Sequence, residues 1–222
     1  MVEISASLLA ADFARLGAEV RRAERAGADS FHFDMMDGHY VPNLALTPQH
    51  LSALRPYSRL PFHVHLELSE PDGLLEAFAP LGADVIVVQW DTLVHPERTF
   101  ERIRSQGARV GLALNPEVPL ADVQPVLPAV DELLLLGVNP GFGGQRMQLG
   151  TWAKVAEARD RLRVLGLALP IAVDGGVKPE NAAALVQAGA DCLIMGTGLF
   201  AARDMAATIA RVRGRSAPLP HR

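Results

Sequence analysis

The chain of 222 residues has a single cysteine, Cys192. That excludes an intrachain disulfide and points away from an oxidising compartment. Its apolar, strand-like setting reads as an inert core thiol. Lysine is almost as scarce: Lys154 and Lys178 are the only two, and both fall in segments that read as helical. A Schiff-base aldolase needs a lysine at a strand end, so that class is disfavoured. Basic residues are outnumbered, 21 against 25 acidic, for a net charge of −4. No basic block offsets this locally, so neither nucleic acid nor a membrane surface is an expected partner. No apolar run approaches a membrane span, and Met1-Val2-Glu3-Ile4 lacks a basic leader region and a cleavage site. The expectation is a soluble, cytoplasmic protein. A Gly-x-Ser-x-Gly elbow, a Walker lysine and a GxGxxG turn between strand and helix are missing as well.

What is present is an apolar interior. Hydrophobic residues make up 49% and charged residues 21%, the composition of a globular chain with one compact domain. Short β-branched runs alternate with longer stretches of helical period, the signature of βα units and a parallel sheet. Strands are expected near 3–9, 29–34, 61–66, 84–89, 109–114, 131–136, 169–174 and 191–195. Eight such runs suit a single closed (β/α)₈ TIM barrel across residues 1–222; an open doubly wound sheet is the alternative. Gly27-Ala28-Asp29, Gly82-Ala83-Asp84 and Gly189-Ala190-Asp191 each sit where a helix ends and a strand begins, and their glycines suit the left-handed position past a helix. Between the first two strands, Phe13, Leu16, Val20 and Ala23 recur at helical spacing after Asp12, a candidate N-cap. The tail after about Gly214, with Pro218 and Pro220, reads as a short flexible end.

Polar residues interrupt three strands in a way a plain core does not require. Strand parity puts His32 and Asp34 on one side and Phe31 and Phe33 on the other. Taken alone, the pair reads as an aspartate orienting a core histidine, with two metal ligands as the sharper alternative. His63, His65 and Glu67 share one face of the third strand, and the seventh strand ends at Asp174. Parallel strands deliver their C-terminal ends to one rim, so His32, Asp34, His65 and Asp174 can converge there. Two imidazoles and two carboxylates suit Zn²⁺, Mn²⁺, Fe²⁺ or Co²⁺, and convergence raises the metal reading above the bland one. Glycine clusters follow the last three strands: Asn139-Pro140-Gly141-Phe142-Gly143-Gly144, Asp174-Gly175-Gly176 and Gly196-Thr197-Gly198. Their placement on one rim points to a cradle for a phosphate.

These stretches, His32 through Asn43, His65, Asn139 through Gln145 and Asp174-Gly175-Gly176, together resemble the ribulose-phosphate 3-epimerase family. The likeness runs from Ser5–Phe13 to Gly196–Phe200. It implies a TIM barrel of the ribulose-phosphate-binding type and an isomerase of carbohydrate metabolism and the pentose phosphate pathway, carrying one divalent metal ion (Zn, Mn, Fe or Co) and no organic cofactor. His32, Asp34, His65 and Asp174 would hold the metal, with Asp34 and Asp174 as acid and base through an enediolate. Ser7, His65, Gly141, Phe142, Gly143, Gly144, Gly175, Gly176, Gly196 and Thr197 would meet the substrate, a small phosphorylated ketose. The leading reaction is conversion of D-ribulose 5-phosphate to D-xylulose 5-phosphate. The alternatives are another ketose phosphate such as D-allulose 6-phosphate, or a non-catalytic phosphosugar-binding barrel. A related phosphosugar decarboxylase lacks its strand-end lysine here. Family members are usually homo-oligomers, so a homo-oligomer is expected.

Departures from the family pattern bear on specificity. Methionines commonly surround the enediolate; Met36 is kept, while Glu67 and Leu136 stand at the other two positions. Glu67 has three readings: contact with a substrate hydroxyl, a further ligand, or an outward turn to solvent. His63 replaces a usual aspartate, Gln89 a usual histidine, and Asp91 a common glutamate, changes that bear on ligand orientation. His39 belongs to a loop motif, His50, His95 and His221 read as surface positions, and Trp90 and Trp152 as packing residues. Phe142 reads equally as a substrate cover or an apolar plug.

Overall fold

Eight short apolar runs form eight parallel strands among residues 1–214, the part of the chain that the computed structural model describes. They are β1 (Glu3–Ser7), β2 (Ser30–Met36), β3 (Phe62–Glu67), β4 (Val85–Gln89), β5 (Arg109–Leu114), β6 (Glu132–Leu136), β7 (Ile171–Asp174) and β8 (Cys192–Met195). Each pairs with its sequence neighbour, and β8 closes onto β1. The barrel is therefore the one expected, and the open-sheet alternative falls away. β1 is shorter than expected because Leu8–Ala10 tightens into a 3₁₀ turn. β7 starts only after Pro170, which has no N–H to give to a ladder. The expected tail after Gly214, and His221 within it, lie outside the described residues.

Helices α1 (Leu16–Ala26), α2 (Pro48–Leu54), α3 (Pro96–Ser105), α4 (Leu120–Val123), α5 (Thr151–Val164), α6 (Pro179–Ala188), α7 (Thr197–Phe200) and α8 (Met205–Val212) surround the sheet. The β3–β4 connection is built from 3₁₀ turns alone, Pro71–Ala77 and Ala79–Leu81. Asp12 does cap, accepting from the Ala14 N–H, but the element it caps is a 3₁₀ turn, Phe13–Arg15. That turn advances three residues per revolution, so Phe13 is thrown off the buried face of α1 and is 48% exposed, while Leu16, Val20 and Ala23 are buried as expected.

Strand alternation divides the apolar residues into two sets. Phe31, Phe33, Phe62, Val64 and Leu66 face outward and pack under the helices, where Trp90 and Trp152 also pack. Val85, Val87, Ala113, Leu134, Leu136, Ala172, Cys192 and Ile194 fill the barrel itself. The Cys192 thiol is buried and its pKa is raised by that burial, consistent with an inert core group.

A fourfold device closes the N-terminal rim. Asp29, Asp84, Asp131 and Asp191 precede β2, β4, β6 and β8. Their carboxylates accept the N–H of Ile4, Phe62, Val110 and Ile171 at 2.7, 2.8, 2.8 and 2.9 Å. Their own N–H groups donate back to the carbonyls of the same four residues. An arginine covers each: Arg213 on Asp29, Arg55 on Asp84, Arg104 on Asp131 and Arg159 on Asp191. Each odd strand is thus tied at its start to the even strand entering beside it. Removing one carboxylate leaves a strand N–H without its acceptor. Asp84→Ala is expected to lower unfolding free energy by about 1–2 kcal/mol in urea while leaving turnover unchanged; an unchanged midpoint would show that this tie is dispensable.

Candidate active site

The C-terminal ends of β2, β3 and β7 bring four polar side chains to one point. His32, Asp34, His65 and Asp174 each offer a ligand atom, and these atoms lie within 4.8 Å of one another. Parity explains the convergence, because His32, Asp34 and His65 all occupy inward positions and Asp34 is paired in register with His65. Asp34 Oδ1 lies 3.1 Å from His32 Nε2 and 3.2 Å from His65 Nδ1. Its other oxygen accepts from the Ser7 hydroxyl at 3.1 Å. Asp174 Oδ2 is 3.9 Å from His32 Nε2, and its Oδ1 accepts the Gly175 N–H at 2.8 Å.

The donor set fits a divalent cation. His32 Nδ1 is buried without a hydrogen-bond partner, and Nε2 faces the cluster 3.1 Å from Asp34 Oδ1. Two buried imidazoles beside two carboxyls form the N and O donor set that suits such an ion. His65 turns Nδ1 to the cluster and Nε2 to Gln89, whose Nε2 is 3.2 Å away and whose Oε1 has no partner. A His65 that ligates through Nδ1 carries its proton on Nε2 and needs an acceptor. Gln89 supplies one through Oε1 once its amide is turned over.

Burial and charge drive the two carboxyls apart. Burial opposes the charge on Asp34, but His32 and His65 outweigh it and lower its pKa. Asp174 is raised by burial and then by the neighbouring Asp34 charge. One carboxylate therefore stays ionised while the other is biased toward its neutral form, the pattern of an acid and base pair. His65 is lowered by burial and by His32. His32 is also opposed by burial, yet Asp34 pushes it up to about 9.

The pocket above the cluster is walled by Ser7, Met36, Glu67, Leu136 and the glycine loops. Glu67 ends β3, lies opposite Met36 in register and is 3% exposed. The outward-facing reading is thus excluded, and Glu67 is absent from the convergent group of four. Burial, then Asp34 and Asp174, raise its pKa. The three glycine clusters do follow β6, β7 and β8, and Gly141, Phe142, Gly143, Gly144, Gly175, Gly176, Gly196 and Thr197 all line this one pocket. A side chain at Gly176, where φ is +70°, would meet the Met147 backbone at 2.5 Å. One at Gly141, φ +116°, would press on Val41 at 3.1 Å, and the Gly141 carbonyl accepts from Asn43 Nδ2 at 2.7 Å. Phe142 lines the mouth of the pocket and is 53% exposed.

Other expected positions fall elsewhere. His63 faces inward but two residues deeper, toward the opposite end of the barrel, where Nδ1 lies 3.2 Å from Glu132. Lys178, read as helical, has extended backbone at the N-cap of α6, because Pro179 opens that helix and disfavours helical geometry in the residue before it. His50 is half-buried and uses Nδ1 at the start of α2, where Thr47 caps the helix. His39 turns Nδ1 to the Asp37 carbonyl in its own loop. One cluster was not read from sequence: Tyr40 donates to Asp91 at 3.1 Å and receives Asn115 Nδ2 at 2.9 Å. It joins residues 75 apart in the chain, which local spacing does not reveal.

A protonated His32 must lose its proton to ligate a cation. Adding Zn²⁺ or Mn²⁺ to the metal-free protein at pH 7 is therefore expected to release at least one proton per site, since His32 holds its proton up to about 9. Binding should weaken as pH falls. Calorimetry in two buffers of different ionisation enthalpy measures this; pH-independent binding without proton release would contradict the electrostatic picture of the site.

Comparison with known proteins agrees with this geometry. The chain is 40% identical over 215 residues to the ribulose-phosphate 3-epimerase of Bacillus subtilis, covering 96% of this chain and 99% of that protein. It is 43% identical over 207 residues to ribulose-phosphate 3-epimerase 1 of Cupriavidus necator, covering 91% and 86%. Among solved structures, KGPDC from Streptococcus mutans superposes with a TM-score of 0.73 over 97% of both chains at 12% identity, which bears on the fold alone. Residues 3–200 match the model of the ribulose-phosphate 3 epimerase family, and the chain belongs to that family of carbohydrate epimerases.

Proposed function

We propose that this enzyme interconverts D-ribulose 5-phosphate and D-xylulose 5-phosphate by inverting C3. The observation that carries this reading is the convergence of Asp34 and Asp174 with His32 and His65 beneath one pocket bounded by glycine loops. Inversion beside a ketone needs a proton removed from one face of the carbon and another returned to the opposite face. Two carboxyls carried on strands from different sides of the barrel suit that task, each alternating between base and acid. Ser7 donates to Asp34 and steadies its charged form. His32 and His65 hold Asp34 in place, while the Gly175 N–H orients Asp174.

His32, Asp34, His65 and Asp174 would together hold one divalent ion, which supplies Lewis-acid stabilisation of the negative charge that develops on the substrate oxygens. The phosphate would rest on backbone amides of Gly143, Gly144, Gly175, Gly176, Gly196 and Thr197, whose lack of side chains, Thr197 apart, allows close approach. Anchoring the phosphate there spends binding energy on positioning C3 between the two carboxyls. Phe142 at the mouth would cover the bound sugar.

Turnover of D-ribulose 5-phosphate in D₂O, followed by NMR, tests the reaction. Metal-loaded protein is expected to form D-xylulose 5-phosphate with deuterium at C3, and the same protein stripped by chelator should not. Asp34→Asn and Asp174→Asn should each lower kcat by about 10²–10⁴, the usual contribution of a positioned acid or base. Neither product nor label with metal bound would overturn the substrate assignment, and faster turnover of D-allulose 6-phosphate would transfer it to hexulose phosphates.

A further inference from the structure

Glu67 is the least explained group in the pocket. It is 3% exposed, its Oε2 has no hydrogen-bond partner, and it lines the same pocket as Asp34, Asp174 and the glycine loops. The Gly141 backbone N–H reaches the carboxyl but leaves Oε2 unsatisfied, and Met36 and Leu136 on the same wall are apolar. A buried carboxyl oxygen left unsatisfied is costly, and such a group facing a binding pocket is satisfied when a polar ligand group arrives. It does not belong to the convergent set of four ligand atoms, so its partner is to be sought on the substrate.

Barrel order indicates which part of the substrate that is. β3 lies four strands from β7 around the closed ring, so Glu67 faces the β7 and β8 glycine loops across the mouth. A ketose phosphate anchored in those loops and reacting at C3 between Asp34 and Asp174 extends its remaining end, C2 and C1, toward β3. We propose that Glu67 is a specificity-determining residue that hydrogen-bonds the C1 hydroxyl, so that the enzyme selects 1-hydroxy ketose phosphates over their 1-deoxy counterparts. This rests on the reaction proposed above. The contact does not depend on the protonation state of Glu67: an ionised carboxylate accepts from the hydroxyl, and a neutral carboxyl can also donate to it.

The test compares D-xylulose 5-phosphate with 1-deoxy-D-xylulose 5-phosphate in the metal-loaded enzyme, by epimerisation and C3 deuterium exchange. Wild type is expected to favour the 1-hydroxy compound in kcat/KM by about 10² or more, since a site built around a hydroxyl discriminates strongly against its loss. Glu67→Met, which replaces the carboxyl by an apolar side chain of similar length, should shrink that preference at least tenfold. It should do so by impairing D-xylulose 5-phosphate and sparing the deoxy analogue. Glu67→Gln keeps a hydrogen-bonding amide and should retain part of the preference, and it provides the comparison if the methionine variant fails to fold. A preference equal in wild type and either variant overturns this inference alone. Failure of wild type to turn over D-xylulose 5-phosphate overturns it together with the reaction on which it rests.

Discussion

A carboxylate buried between two imidazoles governs this protein. Asp34 is 4% exposed, and an isolated charge so placed would be driven to neutrality. It stays ionised because His32 and His65 flank one oxygen and Ser7 donates to the other. Burial raises the pKa of both Asp174 and Glu67, and the retained charge on Asp34 raises them further. The proposed division of labour between base and acid would follow from where the charges are held.

The barrel supplies the rigidity this arrangement needs. Apolar side chains pack both within the ring and between the ring and the helices, and the aspartate–arginine ties lock the far rim. Near that end, His63 and Glu132 pair across the barrel interior, and His63 holds the Glu132 pKa down against burial. Polar side chains therefore occur at both ends of the ring, but only those at the C-terminal mouth meet the glycine loops.

Much of the site was legible because a strand exposes its logic through parity. Two-residue spacing placed His32 with Asp34 and His65 with Glu67, and parallel topology then brought Asp174 alongside. Parity gives the face and not the depth, which is why His63, sharing a face with His65, belongs to a different neighbourhood. Helical spacing misplaced Phe13 because a 3₁₀ turn interrupts the period there. The repeated Gly-Ala-Asp marked three of the four rim aspartates, while Asp131, preceded by Ala129-Val130, carried no such mark. The Tyr40, Asp91 and Asn115 cluster and the Gln89 contact with His65 depend on side chains from separate connections or strands. No local pattern encodes those meetings. Of the three readings open for Glu67, burial removed the turn to solvent.

The central claim is that His32, Asp34, His65 and Asp174 form one metal centre. Anomalous diffraction at the absorption edge of bound Zn²⁺ or Mn²⁺ tests it most directly. A single strong peak about 2.0–2.2 Å from His32 Nε2, His65 Nδ1 and an oxygen of each aspartate is the expected result. A fully loaded crystal whose peak lies elsewhere, or whose ion leaves Asp174 unligated, would contradict it.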